Sequence, residues 1–443
     1  MPIKINYSKK TQNKQLSNVV LFTDEKLNIS KIIKYIPHSE YSYIKDLLKT
    51  SDLKKKILVF RKSGGIHDIK SAIETGLIHK NIYEINRDII KFTYRFFIDD
   101  LDGEQFDRLD KTYDKKSVKY YFFLKNSFFY LKRFWDLNTI IGFNIFFRPE
   151  FEVQKASKYL KIKYICCHKE GISSASYLKI LYKIYKKINI SFYGEKILFY
   201  NQTFKNIIKK LKIVDSNKLI TVGCSRADKQ FQFKKKRQIN KNKKTIIFFI
   251  MPKLSILPSS KRIYINNNNI THENKKLLSW DNYNLKTTEL LIKIAKKYGS
   301  KIEIIFKDKI GSNNKRIKNL IEKNKQNNIK YINFGNSDYL IQKADIVLCS
   351  YSTTTFEALA SGAKLYENKI GLPKSSKLNK YTLDYQNQLS KIKNYQDLEK
   401  CINLSFKDTK IKKGYTLQLK KLLKDYLGNN DGKSSIKLAK EIR

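Results

Sequence analysis

Short runs of β-branched and aromatic residues recur along this chain between stretches of helical period, and that alternation confines it to parallel sheets joined by helical crossovers. In the first half the runs are Asn18 to Thr23, Lys56 to Phe60, Asn81 to Ile85, Thr139 to Phe143, Lys163 to Cys167, Glu195 to Tyr200 and Leu219 to Gly223. A second series holds Thr245 to Met251, Lys301 to Phe306, Ile329 to Phe334, Asp345 to Cys349 and Ala363 to Tyr366, with helical patterns at Lys286 to Lys297 and Lys315 to Lys325 between them. The stretch Lys234 to Lys244 is almost entirely polar and basic and reads as a linker. The predicted fold is α/β: two doubly wound domains facing one cleft, over residues 1–233 and 245–413, joined by 234–244 and followed by a C-terminal helix and tail over 414–443. Within that last part, Tyr415 to Leu427 reads as a helix and residues 428–436, with Gly428, Gly432 and several Asn and Ser, as a mobile tail segment.

With 443 residues the chain is long enough for two cores, and 41% apolar and 13% aromatic residues supply them. Lys and Arg number 90 against 40 Asp and Glu, a net charge of +50. The excess is spread over nearly every segment and accompanied by abundant Asn and Ile, including the run Asn266 to Asn269, which is the mark of an AT-rich genome rather than of one binding face. A charge that large still draws the protein to anionic lipids and polyanions at low salt. The five cysteines, at 166, 167, 224, 349 and 401, have no Cys-x-x-Cys pair and no His spacing that suits zinc, which fits a reduced cytosolic setting. Cys166 and Cys167 are neighbours in a predicted strand and should point to opposite faces. Met1 to Leu16 lacks an apolar core, so no signal peptide is expected, and no apolar stretch approaches the roughly 20 residues of a membrane span. The expected location is cytoplasmic, with the inner face of the membrane as the surface open to it.

The segment Ala344 to Tyr366 carries the sharpest chemistry. An apolar strand, Ile346 to Cys349, meets the hydroxyl cluster Ser350, Ser352, Thr353 and Thr354, and a short helix follows until Gly362. The free N–H groups and positive dipole end of a helix start attract a phosphate, and the hydroxyls add donors. Glu357, about one turn further on, could accept hydrogen bonds from a ribose diol. The same residues have a purely local reading, because Thr354 and Glu357 stand at capping-box spacing.

The run Ser352-Thr353-Thr354-Thr355-Phe356-Glu357-Ala358-Leu359-Ala360-Ser361-Gly362, directly after Ala344-Asp345-Ile346-Val347, resembles the donor-nucleotide segment of GT-B glycosyltransferases. Within that superfamily it is most similar to bacterial surface-carbohydrate and capsule-biosynthesis proteins related to CDP-glycerol glycerophosphotransferases. Arg148-Pro149-Glu150, Cys167-His168-Lys169-Glu170-Gly171, Tyr193-Gly194-Glu195-Lys196 and Val222-Gly223-Cys224-Ser225-Arg226-Ala227-Asp228 point the same way, with Ser225 where the family commonly has proline. The resemblance spans roughly residues 137 to 370. It implies GT-B architecture, two Rossmann-like domains with a terminal helix crossing back to the first. It also implies transfer of a sugar or a glycerophosphate-type unit from a nucleotide-activated donor to a cell-surface polysaccharide or lipid-linked acceptor.

Such transfer needs stabilised leaving-group charge and removal of an acceptor proton. On the donor side, Arg226 closes a strand end and can grip a phosphate with two hydrogen bonds, with Asp228 to orient it, and Lys307 follows the run Lys301 to Phe306 where family members often carry a lysine. The base candidates are Glu170, Glu150 and His168, with the resemblance favouring the Glu170 segment; Lys169 stands on the acceptor side. Ser63-Gly64-Gly65-Ile66-His67-Asp68 is a glycine loop at a strand end whose Gly64 and Gly65 could wrap acceptor or phosphate, though it is no P-loop. Asp99-Asp100-Leu101-Asp102 with Glu104 lacks EF-hand spacing, and the residues call for no metal and no cofactor. Two segments could seat the chain on an anionic membrane: the basic amphipathic stretch Tyr177 to Ile190, whose apolar side could instead pack on the core, and the aromatic stretch Tyr120 to Trp135. Competing readings are a nucleotide-sugar epimerase or hydrolase of the same architecture and a basic nucleic-acid-binding protein, the latter without an Arg-rich motif, recognition helix or RNP-like pattern, so no specific nucleic acid is expected.

Overall fold

A computed structural model describes residues 56–443, apart from 62–64, 79–80, 99–110, 170, 189–190, 238–239, 241, 253–278, 310–313, 336, 350, 373–382, 384–387, 408–414 and 430. The expected strand Asn18 to Thr23, the Asp99 to Glu104 cluster, Gly64, Glu170 and Ser350 lie outside the described residues.

The first sheet contains β1 (Lys56–Arg61), β2 (Asn81–Asn86), β3 (Leu137–Gly142), β4 (Lys163–His168), β5 (Lys196–Phe199) and β6 (Leu219–Thr221), in the order β2-β1-β3-β4-β5-β6. The second contains β7 (Lys244–Phe249), β8 (Ile302–Lys307), β9 (Ile329–Ile332), β10 (Ile346–Cys349), β11 (Lys364–Asn368) and β12 (Lys391–Ile392), in the order β12-β11-β10-β7-β8-β9. Every neighbouring pair is parallel. Counted from its own first strand, the second sheet has the dinucleotide-fold order 3-2-1-4-5-6, and both sheets reverse direction at a switch point, β1/β3 in one and β7/β10 in the other. The molecule is thus α/β with two Rossmann-like doubly wound sheets. β12 was not among the expected runs, since two residues carry no readable period.

Parallel strands must be buried on both faces, and the alternation of side chains shows it. Ile57 and Val59 of β1 belong to one apolar cluster and Leu58 and Phe60 to another. Cys167 and Cys166 divide between the same two clusters, on opposite faces as adjacent strand residues must.

The polar stretch Lys234 to Lys244 is ordered where it begins and ends: the helix Asp228–Lys236 runs into it, and Lys244 already belongs to β7. The tail expected over 428–436 is corrected. Gly428 ends the helix Leu417–Leu427 in the left-handed region (φ 77°), and a Cβ there would stand 1.6 Å from the Tyr200 carbonyl oxygen, so this approach of the chain end to the first sheet requires glycine. Asn429 is buried, and the helix Ser434–Ile442 places Leu438, Ala439 and Ile442 in the cluster of Ile57, Val59 and Ile66. Gly, Asn and Ser had suggested a tail because the same residues build turns and helix starts.

Candidate functional site

The carboxyl ends of the two sheets are joined by one connected set of polar side chains. After β1 the helix Gly65–Ile73 opens on Gly65, where a Cβ would lie 2.4 Å from the Phe143 ring; the missing side chain lets the helix start close onto the exit of β3. One turn in, Asp68 is 3% exposed. Its Oδ1 accepts from the Ser225 hydroxyl at 3.2 Å and from the Arg226 backbone N–H at 3.0 Å. Its Oδ2 accepts a short hydrogen bond from the Tyr200 hydroxyl and lies 3.9 Å from Nη1 of Arg226. Arg226, in the 3-10 turn after β6, then donates from Nε to Oε1 of Glu357 at 2.8 Å, and Glu357 belongs to the helix Thr353–Ala360 after β10. Asp68, Arg226 and Glu357 therefore bind strand ends β1, β6 and β10 together across the two sheets.

Burial sets the electrostatics of this set. It works against the Arg226 charge, but Tyr200, Glu357, Cys224 and Asp68 outweigh it and hold the guanidinium pKa well above its ordinary value. The Tyr200 phenol is pushed well above its usual range, first by burial, with Arg226 opposing and Asp68 adding to the rise. Arg226 is therefore a permanent cation and Tyr200 a neutral donor at any physiological pH.

The helix Thr353–Ala360 is capped by Ser352, whose Oγ accepts from the Thr354 N–H at 3.2 Å and closely contacts the Thr354 hydroxyl. Ser352, Thr353 and Thr354 are half-buried at this helix start. With Ser352 as the cap, the third helical residue is Thr355, so the Thr354 and Glu357 spacing forms no capping box. Glu357 reaches out of its helix to Arg226 instead.

The other predicted residues are placed elsewhere. Glu150 is fully buried; Oε1 accepts from Nε of Arg87 at 2.9 Å and Oε2 from the Tyr164 hydroxyl at 2.8 Å. His168 closes β4 at 1% exposure, stacked on Phe204 with ring centroids 4.9 Å apart, its Nδ1 accepting the Ile145 N–H at 3.4 Å. An accepting Nδ1 puts the neutral ring's proton on Nε2. Lys169 follows β4 half-buried. Lys307, the last residue of β8, is 4% exposed and donates from Nζ to the Asp308 carbonyl at 2.5 Å; burial lowers its pKa, with Asp308 opposing. Asp228 does not orient Arg226. Its carboxylate accepts from the Ser435 N–H and hydroxyl, each at 2.6 Å, and from Asn429 at 3.2 Å, so it secures the chain's last helix to the first sheet.

Of the predicted donor-side residues, the structure joins Arg226 to Glu357 and sets the Ser352 to Thr354 hydroxyls at the start of the same helix as Glu357. Asp68 and Tyr200 were missed as members. Asp68 lay in a segment noted for its glycines, and Tyr200 at the end of a strand run; an acid three residues after a helix-opening glycine at a strand end is the signal that could have found it.

No protein-family model and no curated protein matches this chain. Similar solved structures include the S. aureus MnaA–UDP co-structure, at 10% identity over 88% of this chain and 96% of that one, TM-score 0.49. Another is the H444N variant of the wall teichoic acid polymerase TagF, at 11% identity over 94% and 97%, TM-score 0.48. A third is UDP-N-acetylglucosamine 2-epimerase from Rickettsia bellii, at 12% identity over 88% and 96%, TM-score 0.46. At these identities and scores the likeness carries no argument about activity, and the fold stands on the strand orders of the two sheets.

Proposed function

We propose that the chain transfers a sugar or a glycerophosphate-type unit from a nucleotide-activated donor to a hydroxyl of a cell-surface polysaccharide or lipid-linked acceptor, working from the cytoplasmic side as a peripheral enzyme. The observation that carries this reading is the Arg226–Glu357 bond, which seats a permanent cation of the first sheet against a hydroxyl-rich helix start of the second, at the carboxyl ends where doubly wound sheets bind ligands. A donor diphosphate would lie at the Ser352 to Thr354 helix start, with Ser350 adding a hydroxyl, and Arg226 would use its remaining guanidinium N–H groups on the leaving phosphate. Glu357, with Oε1 engaged by Arg226, would keep Oε2 for a ribose hydroxyl. Both oxygens of Glu150 are already engaged and His168 is enclosed by aromatic rings, so this reading gives proton removal to Glu170, with Lys169, Gly64 and Gly65 toward the acceptor.

A thermal-shift series with CMP, CDP, UDP and GDP on the wild type and Glu357→Ala tests it. A ligand at 100 times its Kd should stabilise the wild type by about 2.7 kcal/mol, and the variant should lose most of that gain. Stabilisation by no nucleotide in either protein would count decisively against the reading. With the base identified, release of nucleotide that requires an acceptor marks a transferase; conversion of the nucleotide sugar without acceptor marks an epimerase or hydrolase instead.

A further inference from the structure

The helix Lys111–Trp135 covers one face of the first sheet, burying Tyr120, Leu124, Phe128 and Trp135 in its core. A helix packed this way normally turns polar residues outward. Here the outer side carries Val118, Phe122 and Phe129, 50%, 40% and 44% exposed. At the helical advance of about 100° per residue the three fall within about 40° of one another, a single apolar stripe roughly opposite the buried one. Cations line it: Lys125 lies 4.8 Å from the Phe122 ring centroid, and Lys132 and Arg133 are exposed where the stripe ends. The whole helix has seven basic side chains and one acid.

The basic amphipathic helix Ala175–Ile188 makes the contrast. Among its described apolar side chains, Leu178 is buried and Tyr185 is stacked on Phe146 at 3.4 Å. Of the two segments suited by composition to a membrane, Lys111–Trp135 is the one whose described side chains include well-exposed phenylalanine rings.

We infer that the Val118, Phe122 and Phe129 stripe docks on an anionic lipid bilayer, the rings entering the headgroup layer and Lys125 and Arg133 meeting lipid phosphates. Aromatic rings favour that interfacial depth, and basic side chains beside them gain from a negative leaflet. A polyanion without free base faces, such as duplex nucleic acid or heparin, would use the cations and leave the rings in water, while a second copy would bring a like-charged face against this one. The inference deepens the peripheral placement proposed above and does not depend on the transfer chemistry.

The test is co-sedimentation of the full chain with vesicles of phosphatidylglycerol and phosphatidylcholine, and with phosphatidylcholine alone, at about 0.1 M salt. The wild type should bind the anionic vesicles and not the neutral ones. Phe122→Ser/Phe129→Ser should weaken that binding by about tenfold per ring while keeping its heparin affinity, its melting temperature and any nucleotide-induced shift. Lys125→Glu/Arg133→Glu, with the rings retained, should also lose vesicle binding. Equal vesicle binding by the serine variant and the wild type would overturn the inference and leave bulk charge as the cause. So would loss of a dimer on sedimentation in the serine variant, which would assign the stripe to a second copy. Wild-type protein that ignores anionic vesicles overturns it outright, and a nucleotide shift surviving in that case leaves the transferase reading standing.

Discussion

Two buried Arg–Glu pairs of nearly identical length sit in this molecule and do different work. Arg87–Glu150, at 2.9 Å, lies wholly within the first sheet's unit, with Tyr164 completing the carboxylate's partners and the Arg87 guanidinium 3.4 Å from the Phe147 ring centroid. Arg226–Glu357, at 2.8 Å, joins the ends of two different sheets and has a second carboxylate, Asp68, close behind the guanidinium. Their exposures are alike: 9% and 0% for the side chains of the first pair, 13% and 5% for the second. The difference therefore lies in connectivity and not in burial. One pair closes a core; the other leaves a cation where two sets of strand ends meet.

Removal of Glu150 should have the largest effect. Glu150→Ala strands a buried guanidinium and the Tyr164 hydroxyl, and should cost about 3–5 kcal/mol in urea unfolding. A loss below about 1 kcal/mol would mean that Arg87 finds water, and the contrast with the second pair would fail. Glu357→Ala should cost less, about 1–3 kcal/mol, because Asp68 remains as a counter-ion for Arg226. The comparison sharpens if Glu150→Ala proteins that remain folded still show the nucleotide shift and Glu357→Ala proteins do not.

A third effect concerns the seam between the sheets. Lys234 lies 3.1 Å from the Tyr415 ring centroid, and burial lowers its pKa from 10.5 to about 8, against the attraction of the ring for the cation. Below pH 8 the lysine is charged in both folded and unfolded chains and its burial opposes folding in full. As pH rises through about 8 toward 10.5 the folded chain gives up a proton that the unfolded chain keeps, so this group's contribution to stability rises with pH. The stability of the wild type measured against Lys234→Met should accordingly shift in the wild type's favour between about pH 8 and about pH 10. A flat difference would show that Lys234 stays ionised in the folded chain.

Eleven runs expected from sequence fall within the described residues, and each contains or overlaps a strand, because β-branched runs bounded by helical period announce themselves locally. The start of the Thr353–Ala360 helix was equally legible, since Ser352 caps through a bond two residues away. Glu150 and Glu357 were not distinguishable in the same way. Each is an acid near a helix start, and its true arginine lies 63 or 131 positions away. The tail was misread for the same reason, as the partner of Ser435 is Asp228, 207 residues earlier.

Sequence alone determined the class of fold, eleven of the twelve described strands, the opposite faces of Cys166 and Cys167 and the hydroxyl-rich helix start, all products of period and near-neighbour chemistry. Tertiary structure alone decided that Asp68 receives Tyr200, Ser225 and Arg226, that Arg226 finds Glu357, and that the aromatic helix shows rings outward. Those outcomes depend on which distant strand ends the two sheets bring within hydrogen-bond reach and which helix face the sheet covers, and neither leaves a trace in local spacing.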